Sequence, residues 1–169
     1  MIELSSIRGR HRGQICAVLG GGPSLLRDLK RVPFDAILLG VNQHALLMNL
    51  DYCIFQDRDI YPVLKDSDAP LVTHHRDLAH IYSGIVPDFG LSGGTAVWIA
   101  DYFDAAQVII CGCDSYTADR RYWHSRPGDK GEALGCNSAD VWTLVHRSLQ
   151  NPERVKAASG PLTEIFGGV

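Results

Sequence analysis

Residues 17–31, AVLGGGPSLLRDLKR, set Gly20, Gly21 and Gly22 between an apolar run and a helix-like pattern. Glycine lacks a Cβ, so its backbone can approach a bound group closely. Pro23 suits the first position of a helix, where its missing N–H costs nothing. Ser24, Leu25 and Leu26 would then turn unpaired N–H groups toward the loop, an arrangement that binds anions. The dipole itself is worth only about 0.3–1 kcal/mol at an exposed site, so backbone hydrogen bonds must do most of the holding. A second loop, Ser92-Gly93-Gly94-Thr95, precedes another helical pattern. Two such loops facing one crevice suit a diphosphate or the phosphate of a nucleotide.

Two common phosphate loops are excluded. A P-loop requires a glycine and a lysine five and six residues after its first glycine, where this chain has Leu25 and Leu26. A dinucleotide loop has G-x-G-x-x-G and an acid about 20 residues further on. Leu25 replaces the third glycine, and Asn42 stands in the neighbourhood of the acid.

The elements that must position these loops follow from short apolar runs. ICAVL (15–19), DAILLGV (35–41), YCIFQ (52–56), PLVTH (70–74), QVIICG (107–112) and RVKAAS (154–159) read as strands. They are apolar throughout rather than alternating, which indicates strands buried on both faces of a parallel sheet. Helical spacing falls at 24–32, at 95–103 with Ala96, Ile99, Ala100 and Phe103 on one face, at 138–150, and briefly at 162–166. The expectation is an α/β, three-layer Rossmann-like sandwich with a mostly parallel sheet: an arm at 1–14, carrying Arg8, Arg10, His11 and Arg12 in solvent, then one nucleotide-binding domain at 15–169. Ligands of such sheets bind beyond the carboxyl ends of the strands. Asn42, Asp57, Thr73-His74-His75, Cys113-Asp114 and Ser159-Gly160 follow the strands there. His74, His75 and His80 make a poor metal set, because neighbouring residues of a strand point to opposite faces.

The 169 residues carry a net charge of −3, which argues against a nucleic-acid partner. No apolar run is long enough to span a bilayer, and no signal segment precedes the basic residues. Five cysteines, without zinc-finger spacing, read as reduced thiols of a cytoplasmic protein. The stretch 115–137 has little periodicity, and a loop of that length is expected to be either functional or mobile.

LGGGPSL, GVN, DYCIFQD, SGGTAVWIA and IICGCDSY together resemble a Rossmann-like transferase group. It includes 6-hydroxymethylpterin diphosphokinase-like proteins and bacterial lipooligosaccharide sialyltransferases; small phage-borne proteins look similar. The resemblance runs from about Ile15 to Tyr116, and SGPLTEIF looks like the closing segment of such domains. It implies a nucleotide or nucleotide-sugar donor held by Gly20, Gly21, Gly22, Pro23, Ser24, Asn42, Asp57, Ser92, Gly93, Gly94 and Thr95. Gly21 stands where the family usually has Asn. The resemblance further implies catalytic roles for Asp114, the acid of G-x-D, and for His124 as general base toward a small-molecule or glycan acceptor. Tyr116, Tyr122 or Trp123 would close over the substrate, and Arg120, Arg121 and Arg126 would neutralise the leaving phosphate. A diphosphokinase would need Mg²⁺, held by Asp57 and Asp114 with the phosphates; a sialyltransferase would need no metal. Two other readings stay open: a non-catalytic nucleotide-binding module, and a phage structural or assembly protein, either of which could form oligomers.

Overall fold

The computed structural model describes residues 1–46, 48–113 and 139–169. Among the described residues, eight strands form one sheet: β1 (Ile2–Glu3), β2 (Ile15–Leu19), β3 (Ile37–Val41), β4 (Tyr52–Ile54), β5 (Leu71–Thr73), β6 (Ile81–Tyr82), β7 (Gln107–Cys111) and β8 (Val155–Ala157). Their order is β1-β6-β5-β4-β3-β2-β7-β8. Every pair is parallel, so the fold is α/β.

Alternate residues of each strand feed two apolar layers. Cys16 and Val18 join one, together with Val108, Ile110, Val155 and Ala157. It packs under α3 (Ser92–Tyr102), α4 (Ala139–Ser148) and α5 (Thr163–Phe166). Ala17, Leu19, Ile109 and Cys111 face the other way, onto Leu25 of α1 (Leu25–Asp28). Further along that face, Cys53, Phe55 and Leu71 meet Leu64 of α2 (Tyr61–Leu64). This is why the strands read as apolar throughout. It also explains the thiols: burial pushes Cys16, Cys53 and Cys111 up to about 12, so they are packing groups.

Three elements differ from the sequence expectation. The helix expected at 24–32 is the single turn α1, followed by a 3₁₀ turn at Leu29–Arg31. α3 begins at Ser92, so Ser92-Gly93-Gly94-Thr95 is its first turn rather than a loop ahead of it. Residues 1–14 leave Arg8, Arg10 and Arg12 exposed, as expected, but pack against the domain. They supply β1 and the fully buried Leu4, and the Gly9 and His11 N–H groups donate to the carbonyls of Tyr102 and Phe103. The His11 ring packs edge-on against Tyr52 and Phe103 and hydrogen-bonds the Tyr52 hydroxyl at 2.7 Å. Its place in a basic run concealed an aromatic contact. Arg12 pairs with Asp104.

Candidate functional site

β2 lies between β3 and β7. The chain runs from β2 outward through β3, then returns to lay β7 on the other side. The carboxyl ends of β2 and β7 therefore flank the topological switch point, where open parallel sheets have their crevice.

The glycines at these ends are explained in part by each other. A Cβ at position 20 would lie 2.5 Å from the Gly112 carbonyl oxygen and 2.7 Å from Cys113 Sγ. The Gly22 N–H donates to that same carbonyl at 2.6 Å. Gly112 has φ +62, and a Cβ there would lie 2.8 Å from Leu25 Cβ. Gly20 and Gly112 are thus the closure of two strand ends onto one another. In α3, a Cβ at Gly94 would meet Val145 at 2.7 Å, and one at Gly93 would meet Trp142 at 3.2 Å. These two glycines let α4 approach closely. Gly93 also lies beside Cys113, whose sulfur would be 3.9 Å from its Cβ. The two expected loops do meet, then, across the sulfur of Cys113.

Ahead of α1, the Leu25 N–H is taken by the Gly22 carbonyl at 3.1 Å, so it does not await an anion as the sequence reading had it. Pro23 is exposed in the turn before the helix, two residues ahead of its start. α3 is the stronger helix end. Its first hydrogen bond runs from the Thr95 N–H to the Leu91 carbonyl at 3.1 Å. The N–H groups of Ser92, Gly93 and Gly94 precede any intrahelical partner.

Asp28 ties the crevice together, a role that its place in a polar-looking helical run did not announce. The side chain is 1% exposed. Its carboxylate accepts the Ser24 hydroxyl at 2.7 Å, the Ser159 hydroxyl at 2.6 Å and the Gly112 N–H at 3.1 Å. The strand-end loops of β2, β7 and β8 are thereby pinned to one buried group.

Asn42 follows β3 beside the glycine loop; the last registered pair is Leu19 with Gly40. Its φ is +53, a left-handed conformation that Asn tolerates better than most residues. Its side-chain carbonyl oxygen is buried and has no hydrogen-bond partner among the described residues. Buried acceptors are rarely left unpaired, and such a vacancy is costly. Further along the edge, Gln56 Nε2 donates to Thr95 Oγ1 at 2.6 Å, and His75 Nε2 bonds the Gln56 carbonyl oxygen at 2.6 Å. His74 and His75 do not diverge as strand neighbours would. β5 has ended at Thr73, and their ring centroids are 4.0 Å apart. Partial burial, then the neighbouring His75, hold His74 below the ordinary imidazole range against the opposing pull of Asp88 and Asp57.

Asp57 is exposed, just past β4. Among the described residues, no group of three or more His, Cys, Asp and Glu side chains could hold a metal ion. Asp114 and His124 lie outside the described residues, as do Tyr116, Arg120, Arg121, Tyr122, Trp123 and Arg126. No helix among the described residues is long and apolar enough to cross a membrane.

No family model matches the chain, and no curated protein matches its sequence. Solved structures do. The chain is similar to the sialyltransferase CstII from Campylobacter jejuni in complex with cytidine-5'-monophosphate. The TM-score is 0.63 at 12% identity, over 93% of this chain and 85% of that one. The same enzyme with CMP-3FNeuAc gives 0.62 at 12% identity, over 93% and 86%. The monofunctional alpha-2,3-sialyltransferase Cst-I from Campylobacter jejuni gives 0.62 at 15% identity, over 92% and 80%. At such identity the likeness speaks for fold alone: the chain is an α/β domain built on the same plan as these sialyltransferases.

Proposed function

We propose that the chain is a glycosyltransferase-like protein whose crevice binds a nucleotide-sugar donor, a cytidine monophosphate sugar first among them. The observation that carries this reading is Asn42, with its left-handed backbone and its unpaired, buried carbonyl oxygen beside the glycine loop. A nucleoside donor group would satisfy that oxygen. The first-turn N–H groups of α3 would face the donor phosphate. The solved structures with CMP and CMP-3FNeuAc bound to the same fold support this choice of donor. In the transfer step, an acceptor hydroxyl oxygen forms a bond to the anomeric carbon as the bond from that carbon to the phosphate oxygen breaks. The nucleotide leaves with the electron pair, and His124 takes the hydroxyl proton.

Melting the protein in CMP, ATP–Mg²⁺ and GTP–Mg²⁺ tests the reading. A ligand at 100 times its Kd adds about 2.7 kcal/mol, or roughly 5–10 °C for a chain of this size. CMP is expected to raise the melting temperature in this range without added metal. No shift with any nucleotide, or a shift confined to ATP–Mg²⁺ or GTP–Mg²⁺, overturns it. Asn42→Gly separates binding from folding. Glycine accepts the positive φ freely, so stability should change by less than about 1 kcal/mol, while the CMP-induced shift disappears.

A further inference from the structure

Thr95, in the first turn of α3, also walls a second pocket of about 210 Å³, lined by Gln56, His74, Ser83, Val86 and Asp88, among others. Drug-sized ligands occupy about 300–1,000 Å³, so this space fits one small ring. Two hydroxyls are built into it: Ser83 and Thr95 are each 2% exposed. The Ser83 backbone is spent, its N–H on the Thr73 carbonyl and its carbonyl on the Val86 N–H. Its hydroxyl has no hydrogen-bond partner among the described residues, and a polar group so buried is costly to leave unpaired. Thr95 Oγ1 accepts from Gln56 Nε2 at 2.6 Å. That leaves the Thr95 hydroxyl hydrogen to donate and the Gln56 amide oxygen to accept. The lining thus serves the hydroxyls of a ligand in both directions.

The charge of the lining is one-sided. Asp88, exposed at the rim, accepts the Gly90 N–H at 2.9 Å through one oxygen and keeps the other for a ligand. No lysine or arginine is among the described residues that line the space. His74, held below the ordinary imidazole range by burial and His75, is neutral near pH 7 and adds no competing cation. A carboxylate with neutral acceptors around it suits an ammonium, which brings N–H donors and no acceptor. Val86 and Pro87 offer an apolar wall to the C–H face of a ring. We propose that this pocket takes an amino sugar, its ammonium on Asp88 and its hydroxyls on Ser83 and Thr95, and that it is the acceptor subsite. The acceptor role rests on the donor reading above. The α3 turn that would face the donor phosphate supplies Thr95, so a ring seated here lies beside the reacting bond. The transferred sugar stays outside this pocket, which places no condition on that sugar's charge.

The test titrates the full chain at about pH 7, by ligand-observed NMR, with methyl β-glucosaminide, its N-acetyl form, methyl β-glucoside and ethylammonium. The CMP-induced melting shift is read separately. The cationic glycoside is expected to bind about fivefold more tightly than the two neutral ones, the scale of one exposed ion pair. Ethylammonium, with the charge but no ring, should bind more weakly than the cationic glycoside. Asp88→Asn keeps an oxygen for the Gly90 N–H and should erase the preference, bringing the glucosaminide to the level of the glucoside. Ser83→Ala should weaken both by about threefold, as loss of a neutral hydrogen bond does. If Ser83→Ala alters the melting temperature, Asp88→Asn, at an exposed position, decides alone. The proposal is overturned if a neutral glycoside or ethylammonium binds as tightly as the glucosaminide, if the glucosaminide does not bind, or if Asp88→Asn keeps the wild-type preference. A CMP shift without glucosaminide binding sinks the subsite alone. Glucosaminide binding without a CMP shift sinks the donor reading and the acceptor role, while the amino-sugar site stands.

Discussion

Asp28→Ala is expected to be among the most destabilising single changes in this protein, at about 3–5 kcal/mol. The carboxylate is 1% exposed and accepts from Ser24, Ser159 and the Gly112 N–H. Its removal leaves those donors without their acceptor and opens a void among them. Each unsatisfied buried group costs about 1–3 kcal/mol. Water entering the void recovers part of the sum. Urea denaturation should show the midpoint falling with an unchanged slope, and the melting temperature should drop by roughly 10–15 °C. A loss under 1 kcal/mol would show that the three loops hold their places without this group. Asp28→Asn is the sharper control. It keeps the volume but replaces one acceptor oxygen with an NH₂ among donors, so it should recover little of the loss.

Gly20→Ala is expected to cost about 2–3 kcal/mol, at the upper end of the usual range for overpacking. Its Cβ would stand 2.5 Å from a backbone oxygen, that of Gly112, and 2.7 Å from Cys113 Sγ. The sulfur can rotate away; the carbonyl moves only if the end of β7 moves. That carbonyl also holds the Gly22 N–H, so the same shift reshapes the crevice. The CMP-induced melting shift should therefore be lost along with stability. Cys113→Ala in the Gly20→Ala background tells the two contacts apart. If the sulfur were the obstacle, the double variant would regain wild-type stability; continued instability assigns the clash to the backbone.

The sheet was legible because its physics is local to each strand. ICAVL emerged as β2 with its bounds intact, since a strand buried on both faces leaves no polar alternation. The two-residue strands β1 and β6 were not legible. They carry no period, and only the sheet edge selects them. Gly93 and Gly94 read as a loop because glycine disfavours helices. The approach of α4 outweighs that preference, and Trp142 and Val145 fill the room that the absent side chains leave. Of the site, Asn42 was visible from its place after an apolar run; its positive φ and its buried side-chain oxygen were not. The triple glycine carried a double meaning that sequence could not separate: closeness to a ligand and closeness to another loop look alike without coordinates. For Gly20 the second holds, with Gly112 as its counterpart. Asp28 was invisible because burial of a small polar residue depends on partners far away in the chain. Ser159, 131 positions from Asp28, is such a partner.

The strand pairing bears on how the chain acquires a binding site at all. No two neighbouring strands can be joined by a tight hairpin, because every pair is parallel. The pair that frames the crevice, β2 with β7, joins Ile15 to Gln107, the widest sequence separation among the seven. Such closures are entropically late and slow the search for the native state. A half-assembled chain would thus have no pocket to offer, and ligand capture would mark the end of folding rather than guide its beginning.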